Sequence, residues 1–198
     1  MLFQYETNRL ILKILHPDDA ALVLDFYERD QELFEKYETA RIPEFYTLKH
    51  QHRLLQYEYS AAMKLSTVRF YVFLKEQPDQ IVGTVCLHNI IRTFYHTCEI
   101  GYKFSSHIHG HGYAFEAIDC CIQIAFCELE LHRITALVCH DNERSKHLLN
   151  CLGFRLEGIC RDYLLLQGQW QDHFLYSLLC TDSRINYVPT EAIQEPYV

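Results

Sequence analysis

Apolar and polar positions lay out this chain as strands and helices in turn. Between Tyr5 and Leu15, Leu10, Leu12 and Ile14 alternate with Arg9 and Lys13, the period of a half-buried strand. His16-Pro17-Asp18-Asp19 stops that strand and opens a helix, because proline and acidic side chains suit a first turn. Ala21, Leu22, Leu24 and Phe26 carry the helix toward Arg29, and Gln31–Tyr37 fits a short second one. A loop containing Pro43 spans Ala40–Thr47, and an aromatic-rich helix is expected over His50–Leu65. Alternation returns in Val68–Leu74, Ile81–Ile91 and Cys98–Phe104, with turns at Gln77–Gln80 and Thr93–His96. From Tyr113 the period changes: Ala114, Ala117, Ile118, Cys121, Ile122, Ala125 and Phe126 recur at three and four, a helix to about Glu128. His132–His140 is the next strand. Asp141-Asn142 caps a helix over Glu143–Cys151 that Gly153 ends. Phe154–Leu166 and Trp170–Leu179 close the pattern as a hairpin across Gln167-Gly168-Gln169.

These elements assemble into a mixed α/β fold. The second to fourth strands form an antiparallel meander. The helix after Tyr113 is a crossover, so the fourth and fifth strands, Cys98–Phe104 and His132–His140, are expected as parallel neighbours. The expectation is a mostly antiparallel sheet with helices on both faces, one domain over residues 1–182 and a tail over 183–198.

Bulk properties narrow the chemistry. A chain of 198 residues, 49% hydrophobic and 22% charged, is an ordinary globular protein able to bury a sizeable core. Its net charge of −8 argues against reading a phosphate backbone and suits a basic partner. The 9 cysteines are scattered without Cys-x-x-Cys, which is neither a zinc pattern nor a disulfide framework. They read as small hydrophobes in a reducing, cytoplasmic setting. No signal peptide or transmembrane run is visible, so no membrane partner is expected.

The chemistry concentrates between Glu99 and Ile118: a strand, a turn with Gly110 and Gly112, then a helix. Backbone N–H groups at a helix start lack internal partners and carry partial positive charge, and glycine lets an anion approach them. Gly110-x-Gly112 is not a P-loop, and Phe115 stands where a dinucleotide fingerprint has its third glycine. The ligand favoured is a diphosphate held mostly by backbone. His107, His109 and His111 alternate, but a turn does not hold alternate residues on one face, and no metal site is expected.

Several stretches together resemble the GNAT acyl-CoA N-acyltransferases, in the RimJ/RimL-type branch. They are Thr7–Lys13, Ile81–Val85, Glu99-Ile100-Gly101-Tyr102 with Gly110–Ala117, Asn142–Ser145, Leu152-Gly153-Phe154, Glu157-Gly158, Arg161-Asp162 and Gln167–Asp172, in matching order. The resemblance implies transfer of acetyl from acetyl-CoA to a primary amine. It implies cofactor contacts at Tyr102, Lys103, Phe104, His109, Gly110, His111, Gly112, Tyr113, Ala114 and Asn142. Glu99 is the candidate base, although an edge glutamate in solvent fits it nearly as well. Ser145 is the candidate acid for the departing thiolate, although it also fits a surface hydroxyl at a helix start. Asn142 reads as a helix cap or a pantetheine contact.

Two departures stand out: His107 replaces the family's usual Gln or Arg, and Leu149 stands where many members have an acidic Tyr. Tyr37, Phe45, Tyr46, Tyr57, Tyr59 and Trp170 read as core first and acceptor groove second. Acceptor choice is expected from Ala40–Leu65. The acceptor is a protein N-terminus, as on a ribosomal protein, or a small amine such as an amino sugar or polyamine, handled by a monomer or homodimer. A third reading is an acyl-CoA-binding module without turnover.

Overall fold

The computed structural model describes residues 1–39 and 41–182, so the expected tail from 183 lies outside the described residues. One eight-stranded sheet runs in the order β1-β2-β3-β4-β5-β6-β8-β7. Its strands are β1 (Gln4–Glu6), β2 (Leu10–Lys13), β3 (Val68–Leu74), β4 (Gln77–Ile91), β5 (Thr97–Phe104), β6 (Arg133–Cys139), β7 (Arg155–Leu166) and β8 (Gln169–Leu179). Every pairing is antiparallel except β5 with β6. The helices are α1 (Ala20–Arg29), α2 (Gln31–Glu35), α3 (Leu48–Met63), α4 (Tyr113–Gln123) and α5 (Glu143–Cys151).

The expected mixed architecture is present, with local corrections. The first strand is two, folded back on each other with Tyr5 opposite Leu12. Thr7 makes the reversal, its N–H donating to Leu10 O and its hydroxyl accepting from Leu10 N. Continuous alternation hid that turn, and the parallel pair is therefore the fifth and sixth strands. The turn placed at Gln77–Gln80 lies two residues earlier. Leu74 pairs with Gln77 and Phe73 with Ile81, so residues 78–80 bulge out, and Pro78 sits where no ladder donor is required. α3 begins at Leu48 because the Thr47 hydroxyl accepts from His50 N. The last turn of the α4 helix is a π-turn over Ile124–Glu128, closed by Leu129 N donating to Ile124 O.

Period-two alternation gives the sheet two apolar faces. Leu10, Leu12, Phe70, Val72, Val85 and Leu87 bury against Ile118, Ile122 of α4 and Leu149 of α5. Tyr71, Phe73 and Ile81 bury on the other face against Val23, Phe26 and Tyr27 of α1, Phe34 of α2 and Leu55 of α3. Each fully buried side chain of this size contributes roughly 1.5–3 kcal/mol. Cys86, Cys98, Cys120, Cys121 and Cys139 are buried as small hydrophobes, whereas Cys127, Cys151 and Cys180 are exposed, against the reading for those three. Among the described residues, no helix is long and apolar enough to cross a membrane.

The feature that positions a site is where the sheet fails to close. β5 and β6 pair only at Thr97–Arg133, Cys98–Ile134 and Glu99–Thr135. Beyond Glu99, β5 stays with β4 as far as Phe104, opposite Gly83, and β6 stays with β8 as far as Cys139, opposite His173. The two strands diverge and leave a wedge between facing backbone edges.

Candidate active site

The wedge opens into a cleft of about 640 Å³. Its floor is Ile100–Phe104 of β5 and Ala136–Cys139 of β6. Asn142, Arg144, Ser145 and Leu148 wall it from α5, and Leu33–Phe34 and Lys36–Glu38 wall it from α2 and the turn after it. The backbone groups that β5 turns toward β6 have no strand to meet past Glu99. An extended amide-bearing chain inserted there would complete the ladder from both sides.

The cleft leads to the glycine turn. Gly110 and Gly112 have φ of +82° and +78°, values that glycine adopts without strain. At the φ of Gly110, a Cβ would meet nothing within 4 Å, so that face of the turn is open. The N–H of His109 is spent on Ser106 O. Those of Gly110 to Phe115 have no partner among the described residues, and the first helical bond is Glu116 N to Gly112 O. The run of open amides therefore starts one residue later than expected.

Side chains hold the turn from behind. Thr7 Oγ and Arg9 N donate to the Glu116 carboxylate. Arg9 Nε pairs with the same carboxylate at 2.6 Å, and a second guanidinium nitrogen donates to His111 O at 2.9 Å. The ring of Tyr113 stacks on His111 and lies under Arg9. His109 Nε2 meets Phe104 O at 3.0 Å and Nδ1 faces Arg144, which fixes a neutral tautomer that accepts from the guanidinium. Burial holds the His109 pKa below its ordinary value, and Arg144 adds to that. Arg144 is thereby placed on the cleft wall next to the turn. With Gly110 and Gly112 providing an open backbone and Arg144 the counter-charge, the donor set fits the diphosphate of coenzyme A.

The sheet divides the cleft chemically. On the α5 face, Tyr102 Oη and Ser145 Oγ share a hydrogen bond of 2.7 Å. Burial pushes the Tyr102 phenol up to about 12, so it stays protonated at neutral pH. Asn142 Oδ1 accepts from Ser145 N at 3.1 Å while the residue also lines the cleft, so its capping role is present at the place of the expected contact. The phenol missing at Leu149, which is buried, is present here from β5.

On the α1–α3 face, Lys103 pairs with Glu38, which also pairs with Arg41. Burial pulls the Lys103 ammonium down to about 8. Burial raises the Glu38 carboxyl, but the two cations more than offset this and leave it lowered. Arg69 Nε and the Tyr71 hydroxyl donate to Glu58 of α3. His88 lines the cleft beside this network.

The expected residues are thus only partly gathered. Tyr102, Lys103, Phe104, His109, Ala114, Asn142 and Ser145 line the cleft, whereas Gly110, His111, Gly112 and Tyr113 are not among its lining and lie in the turn between His109 and Ala114. Glu99 does not line it. It is the last paired residue before the wedge, accepts from Asn89 Nδ2 at 2.7 Å and borders a separate hollow with Arg133 and Thr135. No described residue of the 40–65 segment lines the cleft; its wall on that side comes from α2 through Glu38. Tyr57 and Trp170, read as core, are 68% and 60% exposed. Arg9, Glu116, Arg144, Glu38 and His88 were not among the expected site residues; Arg9, Glu116 and Arg144 lie inside the matched stretches, whereas nothing local marked Glu38 or His88.

Residues 9–155 match the family model described as an acetyltransferase (GNAT) domain. The chain is 32% identical, over 89% of its length and 90% of the relative's, to the [ribosomal protein uS5]-alanine N-acetyltransferase of Escherichia coli. Its fold is similar to the ribosomal-protein-S5-alanine acetyltransferase of Vibrio fischeri, with a TM-score of 0.85 at 28% identity over 90% of this chain and 97% of that one. It is also similar to Mycobacterium smegmatis RimJ in complex with CoA-disulfide, with a TM-score of 0.81 at 25% identity, covering 86% and 82%.

Proposed function

The chain belongs to the GNAT acetyltransferase family, an acetyl-CoA-dependent N-acetyltransferase, and from that premise we propose that its acceptor is the α-amino group of a protein N-terminus of the ribosomal type. The observation that carries this reading is the wedge between β5 and β6 running into a turn of unpartnered amides. Acetyl-CoA supplies the activated acyl group. The chain's own part is to hold and position. The amides of Gly110–Phe115 and Arg144 hold the diphosphate, and the free edges of β5 and β6 pair with the pantetheine amides. N–H groups over Tyr102–Phe104 donate to the thioester oxygen as charge develops there. Ser145, bonded to Tyr102, gives a proton to the departing sulfur.

An α-ammonium has a pKa near 8 and a lysine near 10.4, so an N-terminus becomes a nucleophile at neutral pH with far less help. The relative named for ribosomal protein uS5 supports a protein acceptor. The same reading takes the chain as one catalytic domain over residues 1–182, working in the cytoplasm as a monomer or homodimer without nucleic acid or membrane partners.

Isothermal titration with acetyl-CoA, CoA and ATP tests the cleft. Micromolar binding of the first two but not ATP is expected, and equal binding of ATP refutes the diphosphate cradle. CoA release with tetrapeptides of free N-terminus, against polyamines and amino sugars, tests the acceptor. A preference for the small amines overturns the N-terminal reading.

A further inference from the structure

We infer that His88, directly across the β4–β5 pair from Glu99, takes the proton from the acceptor's amine. The inference rests on the acetyltransferase reading above. β4 and β5 place His88 directly opposite Glu99, on the face of the sheet covered by α1–α3. His88 lines the cleft and Glu99 does not, so of the two only His88 meets an acceptor. The ring leans over the start of the wedge: a Cβ placed on Gly101 would meet His88 Nε2 at 3.7 Å. Of the other imidazoles that line the cleft, His109 binds Phe104 O and His173 binds Gln171 O. His88 has no hydrogen-bond partner among the described residues, which leaves a ring nitrogen to accept. Glu99 is itself fixed by Asn89.

The charged groups facing His88 are Glu99 of β5, Arg69 of β3 with its partner Glu58 of α3, and Lys103 two strand positions from Gly101 with its partner Glu38. Burial lowers the imidazole's pKa, Glu99 raises it and Arg69 lowers it again, and the balance lies below the ordinary value. The ring is neutral at pH 7 and able to accept. Of the three protons on the acceptor's ammonium, one passes to His88 and on to solvent. One ends on the thiol through Ser145, and one stays on the new amide. A C–N bond forms and the C–S bond breaks, with no other reactant. A lysine ammonium reaches the neutral form about 250-fold less often than an α-ammonium, so a weak base of this kind selects N-termini.

The test compares wild type, His88→Gln, Glu99→Gln and His173→Gln with acetyl-CoA and an N-terminal tetrapeptide across pH 5–9. Acetyl-CoA affinity reports folding, and histidine ring NMR of the protein alone reports the titration. His88→Gln is expected to lower kcat about 100-fold, to move the acid limb of kcat/KM up to the acceptor amine's own pKa near 8 and to leave acetyl-CoA affinity unchanged. Glu99→Gln removes the charge that raises His88, so both the acid limb and the His88 resonance move to lower pH. A His88→Gln enzyme with the wild-type rate and acid limb overturns the assignment, as does that upward move of the limb in His173→Gln alone. If wild type acetylates no peptide, the acceptor reading falls instead. The same profiles with the amine it does acetylate then decide His88.

Discussion

The glycine turn and the α1–α3 wall of the cleft are neighbours built of opposite materials. The turn is six consecutive amides, Gly110–Phe115, presented by two glycines of positive φ. Its exposed groups are backbone, and it is held from behind by Arg9, which donates to His111 O and to the Glu116 carboxylate that Thr7 also meets. The wall is side chains: Glu38 after α2, Arg69 from β3 and Lys103 from β5, each paired across the fold, with His88 of β4 beside them. A backbone site answers to charge and local conformation. A side-chain site answers to whether distant elements keep their register.

Gly110→Asp separates these sensitivities most sharply. The position is open, so bulk is not the cause, and Asp tolerates this backbone region better than most residues. The added carboxylate opposes the diphosphate. Acetyl-CoA affinity is expected to fall at least about 100-fold, on the order of 3 kcal/mol, by isothermal titration. Gly110→Asn, with the same shape and no charge, is expected to lose only a few-fold. Equal losses would mean that conformation governs the turn.

Gly83→Ala attacks register instead. A Cβ there would lie 2.1 Å from the Phe104 ring, which packs on Gly83 across the β4–β5 ladder. Overpacking of this kind costs about 1–3 kcal/mol, read as a lower Tm in calorimetry. Phe104 lines the cleft, so the shift is also expected to raise the acceptor's KM. An unchanged Tm would mean that the ring swings aside freely.

The third test asks how the α5 face of the cleft acts. Tyr102→Phe and Ser145→Ala each break the one hydrogen bond they share. Each is expected to lower kcat about 10-fold, and the double variant little more, because linked groups do not add. The effect is bounded because a thiolate of pKa about 8.5 is already a fair leaving group. Multiplicative losses would show two separate donors.

The same contrast explains what the chain disclosed before it was folded. The turn is contiguous, so Gly110, Gly112 and the helical period after Tyr113 were readable together, as were the strands and the crossover. The side-chain wall was not, because Glu38 and Lys103 are 65 positions apart and nothing local records that they meet. Glu99 illustrates the boundary. Its strand and face follow from alternation, but whether it faces the cleft depends on where β5 and β6 part, which is set by the pairing of β6 with β8. The described residues of the 40–65 segment stay out of the cleft lining for a related reason. Helical periodicity in α3 specifies a packing face, and that face went to the core against β3, as Leu55 and Ala62 show.

The smallest expected effect concerns the support behind the turn. The Arg9 side chain is 43% exposed, so its ion pair with Glu116 is screened and contributes well under the value of a buried pair. Its larger role is geometric, since one planar guanidinium joins the Glu116 carboxylate, the His111 carbonyl and the Tyr113 ring. Arg9→Ala frees His111 O and leaves Glu116 near the head of α4 with only Thr7 Oγ and the backbone of residue 9. The amides keep their identity but lose part of their preorganisation. Acetyl-CoA affinity is expected to weaken about 3–10-fold, roughly 1 kcal/mol, with kcat at saturation unchanged. Arg9→Lys restores the charge but not the fork, so it is expected to recover little of the loss. Full recovery in the lysine variant would show that charge, and not geometry, is what the turn draws from behind, and the contrast between a conformational site and a side-chain site would narrow accordingly.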